Sequence, residues 1–150
     1  MVNRNDIVLT ARQWIGTRFH HQGRLKKKDG DKGGVDCIGF VLGVADELGL
    51  TYNGVKLSKF DRRDYPKVPN GSLLKDEFSK YLNEIELSKI DSGDVLMFKF
   101  DENPQHVGIV VKEKGDYNII HCHMQARGVV EHKLDECWKR RIVTAFKFLD

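Results

Sequence analysis

The sequence is short of cysteine and proline, and it has no long apolar run, no internal repeat and no low-complexity tract. Its three cysteines, Cys37, Cys122 and Cys137, form an odd set without CxxC spacing. That argues against a disulfide framework and against a cysteine-rich zinc site, and leaves at least one thiol free. No stretch approaches the ~20 apolar residues that a membrane-spanning helix needs, so no membrane span is expected. The first six residues, Met-Val-Asn-Arg-Asn-Asp, run into a polar-interrupted helical pattern instead of a basic segment followed by an apolar core. No cleavable signal is visible, and synthesis in the cytoplasm is the expectation. The net charge of +3, from 25 basic and 22 acidic residues, favours an anionic partner only mildly and gives no ground for a nucleic-acid partner.

What is present suits one soluble domain over residues 1–150: 40% hydrophobic and 31% charged residues, at a length that buries roughly 70% of the unfolded surface. Ile7, Val8, Ala11, Trp14 and Ile15 have helical spacing, which predicts a helix over 5–15 with Asn5 or Asp6 as cap and Gly16 as stop. Residues 16–36 lose periodicity and carry Lys26-Lys27-Lys28 and Asp-Gly-Asp-Lys-Gly-Gly, the pattern of a long exposed loop. Cys37, Phe40, Val41, Val44, Ala45 and Leu48 then predict a central helix ending at Gly49. A loop over 50–69 and a shorter helix over 71–84 follow. Beyond Ser92-Gly93-Asp94 the pattern changes to strands: Leu96, Phe98 and Phe100; Val107, Ile109 and Val111; Ile120 and Cys122; Val129 to Glu131; and Val143 to Phe148. Turns are expected at Glu102-Asn103-Pro104 and Lys114-Gly115-Asp116. Helices first and an antiparallel sheet afterwards is an α+β order.

Cys37 stands at the first position of the central helix, behind Gly33-Gly34 and behind Asp36, a good N-cap residue. The helix terminus stabilises a thiolate by only about 0.3 to 1 kcal/mol, and an inward Asp36 would oppose ionisation. A nucleophile near neutral pH therefore needs a nearby imidazolium. Of the six histidines, His106 shares a strand face with the small Gly108. His121 and His123 share a face of the next strand, and Cys122 points the other way, which disfavours a zinc site there. The hairpin between the strands makes His106 and His121 candidate cross-strand neighbours. A thiol on a helix terminus, a base on a strand and an orienting imidazole are the parts of thiol acyl transfer.

Four runs resemble the NlpC-type cell-wall peptidases: Trp14 to Gln22, Gly34-Val35-Asp36-Cys37-Ile38-Gly39-Phe40-Val41, Ser92 to Phe98, and Gln105-His106-Val107-Gly108-Ile109. Ile120-His121, Gly128 to Glu131 and Trp138 to Phe146 are similar to the phage-encoded branch. The resemblance implies a papain-like fold, with the nucleophile helix packed on an antiparallel sheet, and cleavage in peptidoglycan stem peptides, commonly between D-glutamate and the diamino acid. It implies Cys37 as nucleophile, His106 as base, His121 (or His123) as the residue orienting His106, and no cofactor. Asp36 matches an acidic residue that in several relatives contacts the free amino group of the stem. Family members often carry tyrosine at Phe19 and serine at Ile38, so both hydroxyls are missing from the expected substrate site, where His20 or His21 is a candidate polar contact. Those two losses support an alternative: a phage-derived tail or assembly component that binds wall fragments or phage tail proteins with little turnover. Without a leader, action at the wall would follow lysis or delivery by a phage particle.

Overall fold

Asn3 starts the first helix, α1 (Arg4–Arg12), through a capping box in which its side chain accepts the Asp6 N–H at 2.9 Å and the Asp6 carboxylate accepts the Asn3 N–H at 2.9 Å. The helix thus begins earlier than its apolar spacing suggests, because Asp6 serves at the third helical position and not as the cap. The computed structural model describes residues 1–62, 64–65, 72–100 and 104–148, of Pro104 the backbone alone. The expected turn at Glu102-Asn103 and parts of the expected 50–69 loop and 71–84 helix lie outside the described residues.

The segment expected to be an irregular loop contains β1 (Arg24–Leu25) and β2 (Gly34–Val35), which pair with each other. Two-residue strands carry no readable period, and their support comes from far along the chain: Phe19 bridges Val35, and Arg18 bridges Gly128. Lys26 in this segment pairs with Glu47 at 2.8 Å and lies over the Trp14 ring at 5.5 Å. It straps the segment to Glu47 and to the turn that follows α1.

Next comes α2 (Cys37–Glu47), followed by Gly49 at φ +68°. β3 (Thr51–Tyr52) and β4 (Val55–Lys56) form a hairpin where a loop was expected. Its turn is Asn53-Gly54 with both φ positive, the preferred pair for a two-residue hairpin. A 3-10 turn at Leu57–Phe60 precedes α3 (Leu73–Tyr81). The rest is β5 (Asn83–Ile85), β6 (Val95–Lys99), β7 (Pro104–Glu113), β8 (Asp116–His123), β9 (Gly128–Lys133), α4 (Glu136–Lys139) and β10 (Ile142–Lys147).

These last strands form an antiparallel sheet in the order β5-β10-β6-β7-β8-β9. One face carries Met97, Val107, Ile109, Ile120 and Phe146 against Ile7, Trp14, Phe40, Val41, Val44 and Phe78 of the helices and the turn after α1. The other carries Leu96, Phe98, Val110, Ile119 and Ala145 under Leu134 and Trp138. With both faces covered, Val95 to Phe98 are all buried, so the strand is apolar throughout instead of alternating. The histidines of β7 and β8 share the second face with Phe98 and Trp138. α2 packs on the first, and its N-terminus meets β7.

Candidate active site

The Asp36 carboxylate accepts the Gly39 N–H at 2.8 Å and so opens α2 with Cys37 as its first residue. A methyl group at Gly39 would lie 2.2 Å from the Gly23 carbonyl oxygen, so glycine alone lets the 20–25 segment rest on the first turn of α2. Asp36 is buried and has three further donors: the Gln22 N–H at 2.9 Å, Arg24 Nη1 at 3.0 Å and the Tyr65 hydroxyl. Arg24 also clasps Asp61 with two bonds, at 2.7 and 3.0 Å. Asp36 is thus the N-cap and the hub of a buried polar cluster. Sequence reasoning missed the parts that Arg24 and Tyr65 play in it.

The half-buried Cys37 thiol is held near β7 by the Val107 N–H, the amide next to His106. Burial, and then the Asp36 carboxylate, push the thiol up to about 12, against the opposing N–H groups of Val107 and Ile38. Burial also pushes His106 down to about 3, with His123 and His132 adding to the shift. Both directions favour the neutral form of each group. Both shifts run against the imidazolium expected beside Cys37.

His106 and His121 are both buried, with 4% and 0% exposure. His106 Nε2 lies 2.6 Å from His121 Nδ1. His123 stacks parallel on His121 at 5.4 Å, with its ring 5.7 Å from that of His106. The residue hydrogen-bonded to His106 is His121. Burial, followed by the neighbouring imidazoles, holds His121 down at about 2, and burial also lowers His123. Behind His121 stands a residue to which the sequence assigned no role: His132 Nε2 lies 2.8 Å from His121 Nε2, and His132 Nδ1 lies 2.8 Å from the Lys133 carbonyl oxygen. Trp138 packs edge-on against His121 at 4.9 Å.

Gly108 makes this packing feasible. A methyl group there would lie 2.8 Å from Ile119 Cδ1 and 2.9 Å from His121 Cβ. Gly108→Ala is therefore expected to destabilise the protein by about 1 to 3 kcal/mol. It should also lower turnover more than stability accounts for, since His121 is what it displaces. Urea midpoints and initial rates on one preparation check both.

Cys37, His106, Asp36, Phe19, His21, Ile38 and His123 all line one cleft of about 650 Å³, with Tyr65, His132 and Trp138 further along its wall. His121 supports His106 from behind. Cys122 lies on the core side, its Sγ donating to the Val35 carbonyl oxygen at 3.1 Å. Among the described residues no group of three or more His, Cys, Asp or Glu is placed to hold a metal ion, and no helix is long and apolar enough to cross a membrane.

Comparisons with known proteins bear on the family and fold of the chain. A sequence model of the NlpC/P60 family matches residues 16–147. A murein DD-endopeptidase/murein LD-carboxypeptidase, MepS of Escherichia coli, is 23% identical over 137 residues, which are 91% of this chain and 58% of the relative. The chain thus spans somewhat over half the length of the curated relatives it matches. Among solved structures, an NlpC/P60 family protein from Bacillus cereus superposes with a TM-score of 0.69 at 19% identity, covering 99% of this chain and 41% of that one. The NlpC/p60 domain of the peptidoglycan hydrolase SagA does so with a TM-score of 0.62 at 20% identity, covering 97% and 99%. The papain-like fold of these domains is the fold of this chain.

Proposed function

The chain belongs to the NlpC/P60 family, whose members are cysteine peptidases acting on peptidoglycan, and from that premise we propose that it hydrolyses a peptide bond of peptidoglycan stem peptides, the one from D-glutamate to the diamino acid, through a thioester on Cys37. The observation that carries this reading is the opening of the Cys37 thiol and the His121-bound His106 onto one cleft.

With Nε2 turned to His121, His106 has Nδ1 left for the thiol proton. As the sulfur attacks the scissile carbonyl, that proton moves to Nδ1, and the negative charge on the carbonyl oxygen falls near the amides at the N-terminus of α2. His106 then protonates the leaving amine, a thioester remains, and water deprotonated by His106 releases the acid and restores the thiol. Phe19 and Ile38 present apolar surface where hydroxyls are common in relatives. Polar recognition then falls to His21, His123 and the Asp36 cluster.

The test is mass spectrometry of purified stem peptides after incubation with the protein and with Cys37→Ala. Wild-type protein should yield a fragment ending in D-glutamate, and Cys37→Ala should be slower by about 10⁴-fold or more with an unchanged unfolding midpoint. Near-normal cleavage by Cys37→Ala would rule out the thioester. A product cut at another bond would keep the chemistry and correct the bond. Binding of stem peptides without turnover by the wild type would favour the non-catalytic alternative.

A further inference from the structure

His132 ends a line of three imidazoles, and the group at its far end has only one way to bond. A backbone carbonyl oxygen accepts and never donates. The Lys133 carbonyl 2.8 Å from His132 Nδ1 therefore places the hydrogen of a neutral His132 on Nδ1 and leaves its Nε2 bare. At 2.8 Å from that bare nitrogen, His121 Nε2 is the donor, so His121 Nδ1 is bare in turn. At 2.6 Å from it, His106 Nε2 is the donor, and the one nitrogen of His106 left without hydrogen is Nδ1. The reverse pattern would need a proton from a carbonyl.

We propose that His132 is a positioning residue for His106: anchored by the Lys133 carbonyl, it sets the tautomer of His121, and through it the tautomer of His106, so that Nδ1 is always the base. The inference rests on the catalytic reading of Cys37 and His106. His132 touches neither the thiol nor the reacting atoms. Without it His121 has no fixed acceptor for its Nε2–H, and its ring can carry the hydrogen on Nδ1 instead. His106 must then accept at Nε2 and hold its own hydrogen on Nδ1, where it cannot take a proton from sulfur. The relay also works during turnover. When His106 gains the thiol proton, the bonds from His106 to His121 and from His121 to His132 polarise in the same direction, spreading the new charge away from the cleft.

Two variants separate this role from simple packing. His132→Phe keeps a ring under Trp138 without an acceptor, and His132→Gln offers an amide oxygen near the position of Nε2. His132→Phe should lower kcat by about 10- to 100-fold, the range known for removing the outer hydrogen-bond partner of a metal-bound histidine, with KM within about twofold, and His132→Gln should recover most of the loss. Nitrogen-15 NMR of the imidazoles, recorded on the full chain carrying Cys37→Ala, gives a readout independent of activity. A single Nε2–H form of His106 is expected with His132 present, and a mixture with His132→Phe. The proposal is overturned if His106 keeps one Nε2–H form in the His132→Phe protein, or if His132→Gln is as slow as His132→Phe. Should His132→Phe fail to fold, the Gln variant still decides: slow turnover or a mixed His106 tautomer overturns the proposal. Absence of wild-type turnover on stem peptides would count against the proposed function, while the NMR result would still decide the tautomer.

Discussion

Between pH 7.5 and pH 5 the protein is expected to lose about 4 kcal/mol of stability. His106 and His121 are buried and held neutral, down at about 3 and about 2, whereas in the unfolded chain both titrate near 6.5. Their folded values are depressed, so their contribution is fully present above the unfolded value and is lost as pH falls toward the folded one. In that window the unfolded chain binds two protons that the folded chain refuses, and each costs about 1.4 kcal/mol per pH unit once below 6.5. His123, lowered by the same burial, adds to the effect. Glu131, the partner of Arg12, is held below its usual range and is lost only in stronger acid, whereas burial raises Asp94, whose protonation in the folded state offsets part of the loss. Against a total of about 5 to 15 kcal/mol for an ordinary domain, the loss is large. Urea unfolding at the two pH values measures it, and a difference under about 1 kcal/mol would mean that water or a counter-charge reaches the imidazoles. Activity should therefore fail in acid through unfolding, since a base titrating at about 3 is still neutral where the fold is already failing.

Which parts of this arrangement the sequence reveals depends on how local their causes are. Cys37 was legible because its cap, its preceding glycines and its apolar helical face are all contiguous. His106 and His121 were legible as a pair because the short Lys114-Gly115 turn fixes β7 against β8. His132 was not. It lies on β9, where the register pairs it with Ile119 and pairs His121 with Val130, so the two histidines meet only along a diagonal. A shift of one residue would turn His132 to the other face, and nothing in the sequence of the 124–127 connection sets that register. The Asn53-Gly54 hairpin did leave a signal, a dipeptide with a known turn preference. For β1 and β2 the cause lies in Phe19, Arg18 and Gly128, and no local window contains it. Tyr65 and Arg24 reach Asp36 across 29 and 12 residues for the same reason.

Asp36→Ala should cost about 3 to 5 kcal/mol, the range found when one partner of a buried ion pair is removed. Four donors converge on this one carboxylate, and it has about four acceptor sites to offer them. Loss of the helix cap accounts for about 1 kcal/mol. The rest comes from the Gln22 N–H and the Tyr65 hydroxyl left without their acceptor, at about 1 to 3 kcal/mol for each group that stays buried and unsatisfied. Arg24 is spared the full penalty because Asp61 keeps it paired. The same substitution removes the second largest influence holding the Cys37 thiol up, so the thiol should ionise more readily in the less stable protein, a change that alkylation rates against pH can follow. Asp36→Asn keeps one oxygen for the Gly39 N–H and separates the two effects. Retained stability with an easier thiol would show that the negative charge acts on sulfur and the shape acts on the helix. The filled carboxylate also bears on substrate. For Asp36 to hold a free amino group of the stem, one of its donors has to leave, and the Tyr65 hydroxyl is the one that leaves Arg24, the cap and the Gln22 amide in place. Tyr65→Phe would then bind such a stem more tightly, lowering KM. If the carboxylate serves only to shape the cleft, Tyr65→Phe would leave KM unchanged and lower stability alone.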